Sequence, residues 1–582
     1  MPTLIGGRYN MTQFRQLRFA RVDLARASWL AVLVAGTAAA RIAVYLRAAA
    51  PLEDALISLR YARNIANGLG FVYNPGEHVL GTTTPLWTLI NALYIWLFGT
   101  ARLFAFGFWL NLGLDLITLA CLLAILERAG ISRGASMGAV IPFAFYSPFV
   151  FITSSHMEIC LFMALLVFSL MMFQSGRTCL CAFLAGLLAV CRPEGFLWLG
   201  LLLTVVAWQR RQIPWKEAGV AGMAVAPWFV FAAQYFGHVV PQSALAKAPW
   251  TFQSLPHVLF SGAKALPATF LASIYGSPLP ALPVLSFAGA GVVIQTILAA
   301  AFLAGAYVAL GRSGPREMVL LFLVFVCFYA FAAPGVFFPW YGVSTSFLFY
   351  PVLILGLSHL NRIVAARLAP GGGALSRITW AAGCAVLVLG LAGGLFVRSN
   401  NLKLLSQYEE GSRKAIGTML ASETPTDAKI LLEPIGYIGF FSNRYVYDLA
   451  GLVSPSMVGL RRRYPTDWYL RAIFSLSPDY LILRKFEVDR NVCFVGGESL
   501  FKSEEDRTRF FHSYLKIREF SGMAVHGNET QYLMLFRRIG SVMEGPHLPA
   551  LKSPVRTKRG PDLFGRSAVL RVRDRYGEPI ER

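Results

Sequence analysis

From residue 27 to residue 397 the chain is a succession of apolar runs, most of them about 15 to 25 residues long, separated by short loops rich in arginine and lysine. Few folds accept that pattern, because about 20 consecutive apolar residues are what a helix needs to cross a bilayer. Only 14 % of the 582 residues are charged and 56 % are hydrophobic, and the mean hydropathy is +0.54. These values describe an integral membrane protein rather than a soluble one with a large core. The net charge of +22 does not point to nucleic acid, since the basic residues lie between the apolar spans and in the last third, where membrane-facing loops account for the internal ones.

Charge also assigns sides. Arg8, Arg15, Arg18, Arg21 and Arg26 precede the first span, near 27–46, and hold the N-terminus (1–26) in the cytoplasm as an uncleaved anchor. Glu53 and Asp54 then fall outside. The run Pro85–Gly99 is short for a crossing and is read as interfacial. With that choice the basic loops around Arg128 and Arg133, Arg177, Arg210 to Lys216, Arg312 and Arg316, and Arg362 to Arg377 all lie on the cytoplasmic side. Further spans are expected near 103–126, 135–152, 157–174, 179–191, 195–208, 218–236, 286–310, 317–333, 342–359 and 377–397. The expected architecture is an all-α polytopic membrane bundle of about 11 crossings, with interfacial helices in the first outer loop and the tail outside. The stretch 237–285 is expected to be an outer loop able to close over a site, and the aromatic turn 334–341 to mark the interface.

From Arg398 charges return and apolar runs shorten. Lys429–Leu432, Tyr445–Leu449 and Tyr480–Leu483 read as strands and Trp468–Ser475 as a helix. A small α/β domain outside the membrane is expected over 398–540, followed by a disordered basic tail over 541–582. Of the eight cysteines only Cys493 lies in the polar C-terminal part, so a disulfide within that domain is ruled out, and no zinc-ligand spacing occurs.

Once the sides are fixed, the polar residues that are costly near lipid can be sorted. Asp54, Glu158, Arg192 and Lys247 emerge on one face, with Glu53, His156, Glu194 and Gln242 beside them in sequence. Two acids and two cations on a single membrane face suit transfer from a lipid phosphate, which needs a base for an acceptor hydroxyl and cations for the leaving group. Outer carboxylates such as Asp54 and Glu158 would also permit a divalent cation, Mg²⁺ or Ca²⁺. The plainer readings are a helix-dipole role for Glu158, a local ion pair between Arg192 and Glu194, and a solvated loop at Lys247.

The run EDALISLRYARNIANGLGFVYNPGEHVLGTTTPLW resembles the first outer loop of the bacterial glycosyltransferase C superfamily, closest to the branch of arabinofuranosyltransferases and mannosyltransferase-like enzymes. Met157-Glu158, Arg192-Pro193-Glu194-Gly195, Pro241-Gln242-Ser243 with Ala246-Lys247, and Asp448-Leu449-Ala450-Gly451-Leu452 follow in the order of that family. The likeness extends roughly over 27–485. Glu53 stands where an aspartate is usual and His156 where a glycine is common. The resemblance implies a polyprenyl-phosphate-linked sugar as donor and a cell-envelope glycan or lipid as acceptor, at the outer face of the cytoplasmic (inner) membrane. It implies Asp54 as general base, Glu53 and Glu158 as groups positioning acceptor, sugar or metal, Lys247 and Arg192 as donor-phosphate ligands, and His156, Glu194 and Gln242 as possible substrate contacts; Asp448 belongs to a turn, where a structural and a functional role both stay open. Two rival classes are a lipid-linked sugar flippase, which would place charges in broken helices of two related halves, and a non-catalytic envelope assembly protein, whose membrane carboxylates would be dispensable.

Overall fold

The structure is a computed structural model and describes residues 24–48, 50–247, 255–275, 288–332, 339–368, 373–521 and 532–540. Helix α1 (Leu24–Ala48) leads to the amphipathic α2 (Glu53–Ala66), a turn-rich segment, and α3 (Pro85–Phe98), which starts on a proline where a missing N–H costs nothing. The bundle continues through α4 (Leu103–Arg128), α5 (Arg133–Phe145), α6 (Ser147–Ser154), α7 (Ile159–Gln174), α8 (Thr178–Cys191), α9 (Gly195–Arg210), α10 (Trp215–Phe236), α11 (Gln242–Lys247), α12 (Leu255–Tyr275), α13 (Ala288–Leu310), α14 (Pro315–Ala332), α15 (Pro339–Leu368) and α16 (Gly373–Tyr408). Five of the described helices, or six with the bent pair α5–α6, are long and apolar enough to cross a membrane, and others are shorter apolar helices. The protein is thus a multi-pass helical membrane protein carrying a small sheet domain.

Three features add detail to the expected pattern. The span foreseen over 135–152 is two helices bent by 52°, because Pro148 has no N–H to give and restricts the residue before it. Arg41 satisfies the carbonyls released at that break: its guanidinium donates to Phe143 O (3.1 Å) and Ala144 O (3.0 Å) and pairs with Asp115, the whole group being buried. Residues 255–275, expected within a loop, form α12 and pack Phe270 against Phe302, Phe322 and Phe349. His257, Lys264 and Pro267 interrupt its hydropathy and hide it in the sequence. Finally, no break separates bundle and tail domain at 398. Helix α16 continues to Tyr408 and passes through a π-helical turn, Glu409–Lys414, into α17 (Ala415–Glu423). Of the aromatic turn expected over 334–341, residues up to 338 lie outside the described residues and Pro339, Trp340 and Tyr341 open α15; the tail beyond 540 also lies outside them.

The loops expected on one side do gather at one end. Gln174 donates to Ile125 O and Ser313 O, Arg128 to Ser175, and Thr178 and Arg210 meet on Glu217. At the other end sits the C-terminal domain. Strands β1 (Lys429–Leu432), β2 (Tyr445–Asp448), β3 (Tyr480–Arg484), β4 (Tyr514–Ser521) and β5 (Tyr532–Arg538) form a sheet in the order β2-β1-β3-β5-β4, parallel among the first three and antiparallel thereafter. Helices α18 (Gly436–Ser442), α19 (Pro455–Arg463), α20 (Trp468–Leu476), α21 (Lys485–Asp489) and α22 (Glu504–Ser513) complete it.

The loop between α1 and α3 is locked to this domain. Arg60, 1 % exposed, donates to Tyr73 O (3.0 Å), Gly439 O (2.8 Å) and Arg444 O (2.6 Å). Asn74 satisfies both backbone groups of Val446 on the edge strand β2, which closes an edge that would otherwise be open to pairing. Losing Arg60 strands several buried carbonyls, and a lysine cannot fork among them. Both Arg60→Ala and Arg60→Lys should therefore destabilise the docked domain by about 3 kcal/mol, seen as earlier thermal unfolding in detergent micelles and faster proteolysis between the loop and the sheet.

Candidate active site

A backbone hydrogen bond from Leu52 N to Ser155 O (2.8 Å) joins the start of α2 to the turn between α6 and α7. It sets Glu53 and Asp54 beside the segment His156-Met157-Glu158. Glu158 precedes α7 and Arg192 caps α8, so the hairpin α8–α9 brings Arg192 and Glu194 to the same end. That reversal requires Gly195, since a Cβ there would lie 2.3 Å from Ala189 N and 2.4 Å from Leu188 O.

Arg192 is the hub. One arm pairs with Glu158 and another with Glu194 (2.7 Å), and Nε reaches the second oxygen of Glu194 at 3.3 Å. Tyr329 donates to Glu194 at 2.8 Å and stacks on Tyr341, whose ring lies 5.7 Å from the Arg192 guanidinium. Tyr341 is within electrostatic range of Glu194, Arg192, Asp54 and Glu158 alike. Asp54, half-buried, therefore shares one locality with the charged triad. Tyr329 and Tyr341 were not singled out in the sequence; a tyrosine in an apolar run reads as an interfacial anchor.

The structure revises several expected roles. Arg192 is engaged by two carboxylates, so it serves as their internal counter-ion rather than as an open anion receptor. Glu53 turns away from the triad: it pairs with Arg413 (3.1 Å) and accepts from Gly436 N and Tyr437 N at the start of α18. Burial pushes its carboxyl above the usual range, Arg413 pulls it down, and Glu433 and Asp54 add to the rise. Glu53 thus pins the N-terminus of α2, one residue from Asp54, to the sheet domain. His156 is a core residue, 2 % exposed, with Nε2 bonded to Asn91 Oδ1 at 2.9 Å and its carbonyl taken by Trp87. Its φ of 59° explains the glycine common at that position in the family it resembles. Gln242 donates from its backbone to Leu80 O (2.7 Å) and from its side chain to Gly451 O (3.2 Å), fixing α11 against the turn after β2. Lys247 closes α11, and its side chain lies outside the described residues.

Asp448 builds that turn. It is fully buried and accepts from Ala450 N, Leu452 N and Val453 N. Glu158 spends one carboxylate oxygen on Arg192, and among the described residues no three acids, histidines or cysteines form a metal-holding group.

A family model described as a domain of unknown function (DUF8728) matches residues 400–536, the sheet domain. The terminal beta-(1->2)-arabinofuranosyltransferase of Mycobacterium tuberculosis is 29 % identical over 218 residues, 34 % of this chain and 34 % of that protein. The chain spans about a third of that curated relative's length. Among solved structures, ArnT from Cupriavidus metallidurans bound to undecaprenyl phosphate aligns with a TM-score of 0.47 and 11 % identity, covering 90 % of this chain and 100 % of that one. An oligosaccharyltransferase from Archaeoglobus fulgidus, tethered with an acceptor peptide, aligns with a TM-score of 0.48 and 11 % identity over 80 % of this chain and 70 % of its own. At these scores neither structural likeness carries weight.

Two outcomes follow from the geometry. A Cβ at Gly107 would fall 2.0 Å from the His156 ring, so Gly107→Ala should cost about 2 kcal/mol. The loss should shrink when His156→Gly is added, because that change removes the ring and relieves the left-handed backbone; thermal unfolding of the single and double variants measures this coupling. Burial pushes Asp448 from the ordinary 3.8 up to about 6 against three backbone donors. A folded-state pKa above the unfolded one contributes stability below pH 4 that is lost as pH rises through 6. Asp448→Asn should flatten that window in a pH series of unfolding midpoints.

Proposed function

We propose that the protein is a membrane glycosyltransferase that moves one sugar from a polyprenyl-phosphate carrier to a cell-envelope acceptor, glycan or lipid, on the outer side of the cytoplasmic membrane. The observation that carries this reading is the convergence of Asp54 with Glu158, Arg192 and Glu194 at the end of the bundle that also holds the sheet domain. The likeness to an arabinofuranosyltransferase supports sugar transfer, with a pentose as one candidate.

In the proposed reaction Asp54 takes the proton of the acceptor hydroxyl as its oxygen attacks the anomeric carbon. The bond from that carbon to the phosphate oxygen breaks, and the electron pair leaves with the polyprenyl phosphate. A carboxylate at a partly buried site is a workable base for this step. Lys247 carries the charge for the departing phosphate. Arg192, neutralised from both sides, keeps Glu158 oriented toward sugar or acceptor. The first loop and the sheet domain lie outside in this reading, the basic loops at the other end lie in the cytoplasm, and about eleven helices cross.

Asp54→Asn tests the proposal. Transfer from a polyprenyl-phosphate sugar by purified protein in detergent should fall by about 10²- to 10⁴-fold, while donor binding and the unfolding temperature stay as in the wild type. Turnover by the variant at the wild-type rate would remove Asp54 as the base. Absence of transfer and of donor binding in the wild type, across pentose and hexose donors, would remove the function.

A further inference from the structure

Away from the site just described, the sheet domain contains a partly open cavity of about 170 Å³ between α17 and the face of β3, β5 and β4. Leu420, Ile517 and Leu535 supply an apolar wall, while Glu423 and Arg518 bring opposite charges to the lining. In a regular strand two consecutive side chains point to opposite faces. The register of β4 against β5 jumps between Lys516, opposite Phe536, and Arg518, opposite Leu535. This β-bulge in an edge strand lets Ile517 and Arg518 line the same cavity.

Among the described residues neither charge is paired with an opposite one. Among them Arg518 hydrogen-bonds only to the Met419 thioether, at 2.9 Å, a weak acceptor for a group with five donors. Glu423 is the last residue of α17, where the helix dipole disfavours a negative charge, and among the described residues no cation pairs with it. Thr424, by contrast, is fully used: its hydroxyl donates to Leu420 O and accepts from Arg444. The cavity thus offers a planar anion receptor, a separate acceptor for hydrogen-bond donors, and an apolar surface between them.

We propose that this cavity binds a single uronic acid residue of a glycan. Arg518 takes the carboxylate by a charge-assisted fork, Glu423 accepts from ring hydroxyls, and the Leu420–Ile517–Leu535 surface covers the C–H face of the sugar. Glu423 disfavours a dianionic phosphate in the same space. The choice of a sugar acid over an amino-acid zwitterion, which would place its ammonium on Glu423, rests on the glycosyltransferase reading. The presence of a site for a carboxylate bearing a distal donor does not.

Titration of the full-length protein in detergent micelles with glucuronate, glucose, acetate and alanine, followed by saturation-transfer NMR, tests the proposal without turnover. Glucuronate is expected to bind about tenfold or more tightly than the other three. Arg518→Met, which keeps the aliphatic stem, and Glu423→Gln should each weaken it about tenfold with unchanged unfolding temperature. Asp54→Asn should bind glucuronate as the wild type does, so failure of the catalytic proposal leaves this result standing. The proposal is overturned if glucuronate does not bind, if acetate or glucose matches it, if alanine binds better, or if Arg518→Met leaves binding intact.

Discussion

Arg60 holds together the three parts on which the rest depends. Its guanidinium is buried, and its donors are divided between the end of its own loop at Tyr73 and two carbonyls of the sheet domain, Gly439 and Arg444. An arginine in such a place is stable only when its donors are satisfied, so the helix that carries it can take one position between bundle and sheet. The neighbouring contacts follow that geometry. Tyr73 reaches Ile435 O, Arg63 reaches Phe440 O and Asn443, and Tyr437 reaches back to Pro51 O. The loop is in effect a slab of protein interior, which is how a chain holds a half-buried aspartate steady at a membrane surface.

The triad of Glu158, Arg192 and Glu194 applies the same economy of charge within the bundle. Two carboxylates facing one guanidinium would be costly if any of them were left alone. Tyr329 supplies an extra donor to Glu194, and the short hairpin between α8 and α9 fixes the spacing. The pair Arg41–Asp115 does comparable work one layer away by filling the break between α5 and α6. That break aims the chain at the turn where His156 and Glu158 stand, so a charge in the first span shapes a site that lies far from it in sequence.

Much of this is legible in the sequence. Hydropathy marks most of the apolar helices, and basic loops report which ends belong together, because both signals are summed over many residues. The ends of α2 and the start of α3 are written in Asn67-Gly68 and in Pro85. Strands β1, β2 and β3 are apolar enough to recognise; β4 and β5 were missed because Lys516, Arg518, Glu519, Arg537 and Arg538 break up their patterns. What the sequence concealed is direction. Glu53 and Asp54 are adjacent, and no pattern tells which faces the sheet domain and which faces the triad. His156 reads in the sequence as a possible substrate contact, whereas its left-handed backbone and its packing over Gly107 place it in the core. Arg413 reads locally as an i,i+4 pair with Glu409, and nothing in that spacing points to its second partner, Glu53, 360 residues upstream.

The uninterrupted run of helix from Gly373 to Glu423 has one further implication. Its lower part is apolar and sits with the bundle, while its upper part carries Arg413, the cation that grips Glu53. A continuous rod couples its two ends, so a tilt of the apolar part is carried through the π-helical turn to Arg413 and from there to Glu53, the residue beside Asp54.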